Sequence, residues 1–249
     1  MKDEEVSLDA LWQSALSTGR SFSLEPLSGL PEPARRYLGH AIARGTKLAS
    51  AVRLRMHGTI RLKGWLPFTA EQVIDWSRGM IWSAAVRMYG LPIRGSDRFL
   101  EGQGALRWKL LGLLPVMTAS GPDIDRSAAG RLAAESVWLP SVLCGDDVSW
   151  IAEDRLHPRA RLTIQGYTTD LTLAIDGEGR LETLHSERWG NPGSSRFESV
   201  DFGGSVEEEK TFSGYTIPTR LRIGWYFGTD RFESEGEFFR ATIDDAVYR

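Results

Sequence analysis

Period-two alternation dominates this 249-residue chain. In AVRLRMHGTIRLK, Val52, Leu54, Met56, Ile60 and Leu62 alternate with Arg53, Arg55, His57, Thr59, Arg61 and Lys63. That is a long strand with one apolar and one cationic face. Phe68 to Trp76 and Met80 to Met88 repeat the pattern, so the three read as an antiparallel meander. SDRFLEGQGALRWKL adds one or two strands more. After an interruption at 110–145, the alternation resumes. Strands are expected over 150–153, 160–165, 169–175, 181–189, 195–201, 206–212, 219–227 and 232–243. DGEG at 176–179 marks a hairpin, and Gly203-Gly204, Ser213-Gly214 and Gly228 punctuate the rest. So many strands require a sheet that curls, because broad open sheets do.

Helical periodicity is confined to three places. Leu8, Leu11, Trp12, Ala15 and Leu16 form one apolar face over 7–17, with Ser7 as N-cap. LPEPARRYLGHAIARG carries a second helix over 31–43, its prolines confined to the first turn. The third spans 122–137, with Pro122, Asp123 and Asp125 suited to a helix start. The expectation is one β-rich (α+β) domain over 1–249, built on a large curved antiparallel sheet. Its N-terminal helices and helical insertion pack on the concave side.

Counting excludes several functions. The net charge is −3, which argues against nucleic acid as a partner. That value hides an asymmetry. Residues 1–110 hold 16 Lys/Arg against 10 Asp/Glu, and residues 111–249 hold 14 against 23. A basic half facing an acidic half either binds anions or is self-complementary within the fold. The single cysteine, Cys144, precludes an internal disulfide or a thiolate zinc site and reads as a buried thiol. The acidic start MKDEEVSLDA does not read as a signal peptide, and LLGLLPVM at 110–117 is far short of the roughly 20 residues of a membrane helix. A cytoplasmic protein without a transmembrane segment, metal or cofactor is expected.

Catalytic signatures are sparse. His185 and Glu187 share a strand face, and with His57 they would make a hydrolase or metal-assisted site if all three converge. NPGSSR at 191–196, with Ser194 and Ser195, is a turn and not a nucleophile elbow. GQG at 102–104 lacks the third glycine of a dinucleotide loop, Arg107 taking its place. Tryptophan marks almost every strand, with methionine beside it. A curved sheet lined this way either fills its concavity or leaves an apolar cavity there. The acidic strands of 198–209 leave a protein-interaction module as another reading.

LPEPARRYLGHA at 30–41, GWLPFTAEQ at 64–72, DRFLEGQGALRWKLLGLLPV at 97–116 and RLAAESVWLP at 131–140 occur in that order. Together they resemble a bacterial family of unknown function. GYTIPTRLRIGWYF at 214–227 is similar to the strand entry of lipoprotein-carrier-like half-barrels. That resemblance implies a curved antiparallel sheet with helices across its concave side. The expected function is non-enzymatic binding of a hydrophobic or amphipathic small molecule in the concavity. Tyr37, Trp65, Phe99, Trp138 and Trp225 would line it, with Asp97 and Glu135 as polar anchors. Alternatively, Glu135 is a buried structural partner of an arginine such as Arg36.

Overall fold

The computed structural model describes residues 6–249 apart from Tyr89 and Ser194. The readings that fall on residues 1–5 and on Ser194 therefore lie outside the described residues.

Two short helices, α1 (Leu8–Ser14) and α2 (Glu32–Ala41), precede six strands. These are β1 (Ala51–Arg61), β2 (Trp65–Asp75), β3 (Gly79–Met88), β4 (Leu91–Leu100), β5 (Gln103–Leu110) and β6 (Leu114–Ser120). A helix α3 (Pro122–Glu135) and two 3-10 turns follow. Seven strands complete the chain: β7 (Ser149–Ala152), β8 (Pro158–Ile164), β9 (Tyr167–Ile175), β10 (Leu181–Gly190), β11 (Glu198–Phe212), β12 (Tyr215–Trp225) and β13 (Glu237–Tyr248).

All thirteen strands form one antiparallel sheet in the order β6-β5-β4-β3-β2-β1-β13-β12-β11-β10-β9-β8-β7. It is two meanders joined edge to edge where β1 pairs with β13. Two-residue turns with both central φ angles positive close hairpins at Gln165-Gly166 and Ser213-Gly214. That conformation matches the twist of the flanking strands and favours glycine at the second place.

The sheet is strongly curved. α3 packs against β4, β5 and β6 of one meander and against β8, β9 and β10 of the other. At one end the two meanders meet across the concavity. Phe99 of β4 stands 6.3 Å from Tyr167 of β9, ring centre to ring centre. Gln165 Nε2 donates to the Ser77 carbonyl at 2.8 Å. The main core fills the concave side beneath α2 and α3. Against the expectation that both N-terminal helices sit on the concave side, α1 lies on the outer face, because its apolar Leu11 covers the outward-facing Val73 and Ile81.

Several sequence expectations need adjustment. The helices are shorter than the expected 7–17, 31–43 and 122–137. The 110–145 interruption begins later, because residues 114–120 form β6. That edge strand has almost no buried face, so it shows no alternation. Residues 195–201 and 206–212 are not separate strands, since 198–201 and 206–212 both belong to the 15-residue β11 and 195–197 precede it. Gly203 and Gly204 sit inside it and are not a turn. A Cβ on Gly203 would lie 2.2 Å from the Leu184 carbonyl oxygen, and one on Gly204 2.3 Å from that of Arg222. These glycines admit the close approach of neighbouring backbones. Residues 232–236 form one wide helical turn before β13.

Gly203→Ala and Gly204→Ala should each lower unfolding free energy by about 1–3 kcal/mol through overpacking. Gly29→Ala, where nothing lies within 4 Å, should be nearly neutral. Urea denaturation of the three variants checks this.

Candidate functional site

A cavity of about 280 Å³ opens in the concave face. Both meanders and α3 supply its walls. The apolar side is aromatic, with Phe202 of β11, Trp225 of β12 and Phe238 and Phe239 of β13. Trp225 can lie flat because β10 ends at Gly190, where a Cβ would stand 2.2 Å from its ring. Phe202 meets Trp225 edge-on at 5.1 Å, and Phe239 stacks on Phe68 at 5.0 Å.

Four charged side chains from three elements form the opposite wall. Arg131 and Glu135 lie one turn apart and share a face of α3. Arg131 Nε donates to Glu135 Oε1 at 2.7 Å, and its Nη1 to Asp97 Oδ2 on β4 at 2.9 Å. Trp108 Nε1 donates to the other Asp97 oxygen at 2.9 Å, and Gln72 Nε2 to the other Glu135 oxygen at 2.6 Å. All four carboxylate oxygens are thus engaged. Burial works against the Arg131 charge. The attraction of Glu135 and then Asp97 outweighs it, and the guanidinium is held above its ordinary pKa.

Arg188 of β10 is placed differently. Its Nε donates to the Ser127 carbonyl at 3.0 Å and its Nη2 to the Ser127 hydroxyl at 3.4 Å. Its guanidinium lies 4.5 Å from the centre of the Phe202 ring and 5.0 Å from that of Trp225. Among the described residues no carboxylate hydrogen-bonds it. Burial, with repulsion from Arg131 next, pushes its pKa down to about 9, so it still carries its charge at neutral pH. The cavity therefore has aromatic walls and a cation whose donors are only partly used.

Of the expected lining, Asp97, Glu135, Trp138 and Trp225 come together here. The other three lie elsewhere. Tyr37 is buried under α2, 6.4 Å from Trp150, and burial raises its pKa well above the usual tyrosine range. Phe99 is wholly buried against Tyr167. Trp65 lies on the outer face beneath the Arg240 guanidinium, 4.3 Å away. Glu135 does pair with an arginine, but Arg131 is that partner. Arg36 instead donates to the carbonyls of Gly177 and Arg155.

The histidine triad does not assemble. His57 Nδ1 lies 2.9 Å from Asp244 Oδ1, and His185 Nε2 lies 2.9 Å from Asp201 Oδ1. Both histidines are on the outer face, on β1 and β10. Four strand spacings part them, about 19 Å. Among the described residues no group of three or more His, Cys, Asp or Glu is placed to hold a metal ion. The acidic segment 198–209 is engaged within the fold, Glu208 with Arg220 at 2.7 Å and Glu209 with His40 at 2.9 Å. Burial pushes the Cys144 thiol up to about 12, as befits an inert side chain. Among the described residues no helix is long and apolar enough to cross a membrane.

Sequence reasoning missed Arg131 and Arg188. A signal existed for each. Arg131 stands one helical turn before Glu135 on the helix expected over 122–137. Arg188 shares strand parity with the buried Leu184 and Ser186, so it had to face inward.

Glu237 anchors the start of β13, beside Phe238 and Phe239. Hydrogen bonds from Arg222, and then from Arg240, hold its pKa down to about 2 despite burial. A depressed carboxylate pKa stabilises the fold above the unfolded value near 4.5, and that contribution is lost as pH falls toward 2. Glu237→Gln should therefore lower stability at pH 7 by about 3 kcal/mol. It should also flatten the decline between pH 4.5 and 2, measured by urea unfolding across pH.

Comparison with solved structures finds a putative outer membrane lipoprotein-sorting protein domain from Vibrio parahaemolyticus. It is 6% identical, with a TM-score of 0.44 over 80% of this chain and 86% of that one. A LolA superfamily protein from Nitrosomonas europaea is 10% identical, with a TM-score of 0.46 over 87% and 92%. A search of curated proteins finds no match. A family model described as "Family of unknown function (DUF6920)" matches residues 28–248. With nearly the whole sheet, α2 and α3 inside that match, the chain belongs to this family.

Proposed function

We propose that the protein is a non-catalytic binder of an amphipathic small molecule. The apolar part lies against Phe202, Trp225, Phe238 and Phe239, and the polar end meets Arg188. Asp97 and Glu135 act through Arg131, which they hold in place, and Trp138 closes the inner end. The observation that carries this reading is the pairing of an aromatic wall with an arginine that lacks a carboxylate hydrogen bond. A buried cation without one is costly, and an acceptor on a ligand would complete its hydrogen bonding. The indole N–H of Trp82, also in the lining, is buried and has no acceptor among the described residues. The cavity volume is near the lower end for small-molecule sites.

Isothermal titration with dodecanoic acid and dodecanol tests this. The wild type should bind both, the acid more tightly by about tenfold, the worth of one charge-assisted hydrogen bond. Arg188→Gln should remove that preference and keep dodecanol binding. Ile223→Trp, which fills the cavity, should abolish binding of both while the protein stays folded by circular dichroism. No binding of either amphiphile by the wild type, or binding unchanged in Ile223→Trp, overturns the reading.

A further inference from the structure

A separate surface carries its own assignment. The turns β1–β2, β3–β4 and β5–β6 close at Arg61↔Trp65, Met88↔Leu91 and Leu110↔Leu114. Neighbouring strands are antiparallel, so all three tips lie at one end of the sheet. In the order β6-β5-β4-β3-β2-β1 they form a row about 24 Å long, five strand spacings.

That row is apolar and open. Leu113 is 80% exposed, Leu114 62% and Leu62 60%. Leu91, Leu111, Val116 and Met117 are also among the exposed apolar side chains. Five of these seven lie within residues 111–117 of one hairpin, which differs from the scattered single residues of an ordinary surface. The flanking charge is of one sign. Residues 58–70, 84–96 and 105–120 contain Arg61, Lys63, Arg87, Arg94, Arg107 and Lys109 and no Asp or Glu. Arg94 and Lys109 stand directly opposite each other on β4 and β5, both exposed. Like charges so placed repel within the protein and are relieved by an external anion. The acidic turn with Asp230, Glu233 and Glu235, between β12 and β13, confines the cationic stretch to the β1–β6 half.

We infer that this end of the sheet docks on an anionic lipid surface. Leu62, Leu91, Leu113 and Leu114 enter the interface, and Lys63, Arg87, Arg94 and Lys109 lie over the headgroups. Apolar side chains ringed by cations suit that boundary, where burial and attraction to anionic lipid add. The cavity residues Ile60 and Phe239, paired across β1 and β13, lie beside the β1–β2 tip. The docked end is thus also an end of the cavity.

Co-sedimentation of the full chain with vesicles tests this, using phosphatidylcholine alone and phosphatidylcholine with 30 mol% (about a third, enough for a clear surface charge) phosphatidylglycerol. Binding should require phosphatidylglycerol and fall as salt is raised. Leu113→Ser with Leu114→Ser should cut partitioning at least about tenfold, as should Arg94→Gln with Lys109→Gln. Thermal midpoints should not fall, because these side chains are exposed. Absence of binding to the anionic vesicles, or binding unaffected by both double variants, overturns the proposal. So does self-association in size-exclusion chromatography that the leucine variant dissolves while vesicles are ignored, since the patch would then serve a second copy. None of these readouts depends on the cavity being occupied.

Discussion

Arg131 is the hinge of the architecture. It ties α3 to the sheet through a carboxylate on each, and every oxygen of both carboxylates has a donor. Removing one member would leave an uncompensated buried charge, whereas the complete set tolerates a low-dielectric site. The rest of α3 approaches the strands on small residues. Ala128, Ala129, Gly130, Ala133 and Ala134 make most of its buried side, with Leu132 as the one large apolar residue there. Gly104 lets β5 come so close that a Cβ there would be 2.7 Å from the Ile124 carbonyl oxygen. The helix is pressed close near its N-terminus and propped by a charged network near its C-terminus. The space left at the propped end is the cavity.

Charge partition takes on meaning in this geometry. The basic first meander and the acidic second one meet at the β1–β13 seam, where Arg55 pairs with Asp245 and His57 with Asp244. Arg53 is satisfied on its own side by Asp9 and Glu71. Such exposed pairs contribute little individually, but they disfavour a slipped register along the seam. The self-complementarity expected from the sequence is thus found at the seam. At the far tips of the first meander, segments 58–70, 84–96 and 105–120 contain no Asp or Glu.

How much of this was legible follows the burial pattern. Strands with one covered face, such as β1 and β3, announce themselves by alternation. β6 was hidden because neither face is covered, and β11 was cut in two because glycine usually marks a turn. At Gly203 and Gly204 the glycines instead make room for adjacent strands. Within the cavity, Asp97, Glu135, Trp138 and Trp225 were legible as unusual residues in strong local motifs. Tyr37 and Phe99 sit in equally strong motifs, and their task is to fill the core. Filling and lining a cavity call for the same side chains, and only the three-dimensional path of the sheet separates the two. The partner of Glu135 was within reach, because on the helix expected over 122–137 Arg131 stands one turn before it.

The seam also bears on the order in which the protein is made. Within each meander, every strand pairs with one synthesised just before it. β1 is different, because its second neighbour, β13, is the last strand of the sheet to emerge, and Val52 must wait for Tyr248. Until then the first meander carries a long open edge with its hydrogen-bonding groups unmet, the kind of edge that recruits other chains. The outer face of β1, whose Arg55 and His57 meet Asp245 and Asp244 only once β13 has emerged, is a natural guard for that interval, since two such edges from neighbouring nascent chains repel. Residues that pair across the seam in the finished molecule thereby keep the unfinished one apart from its copies.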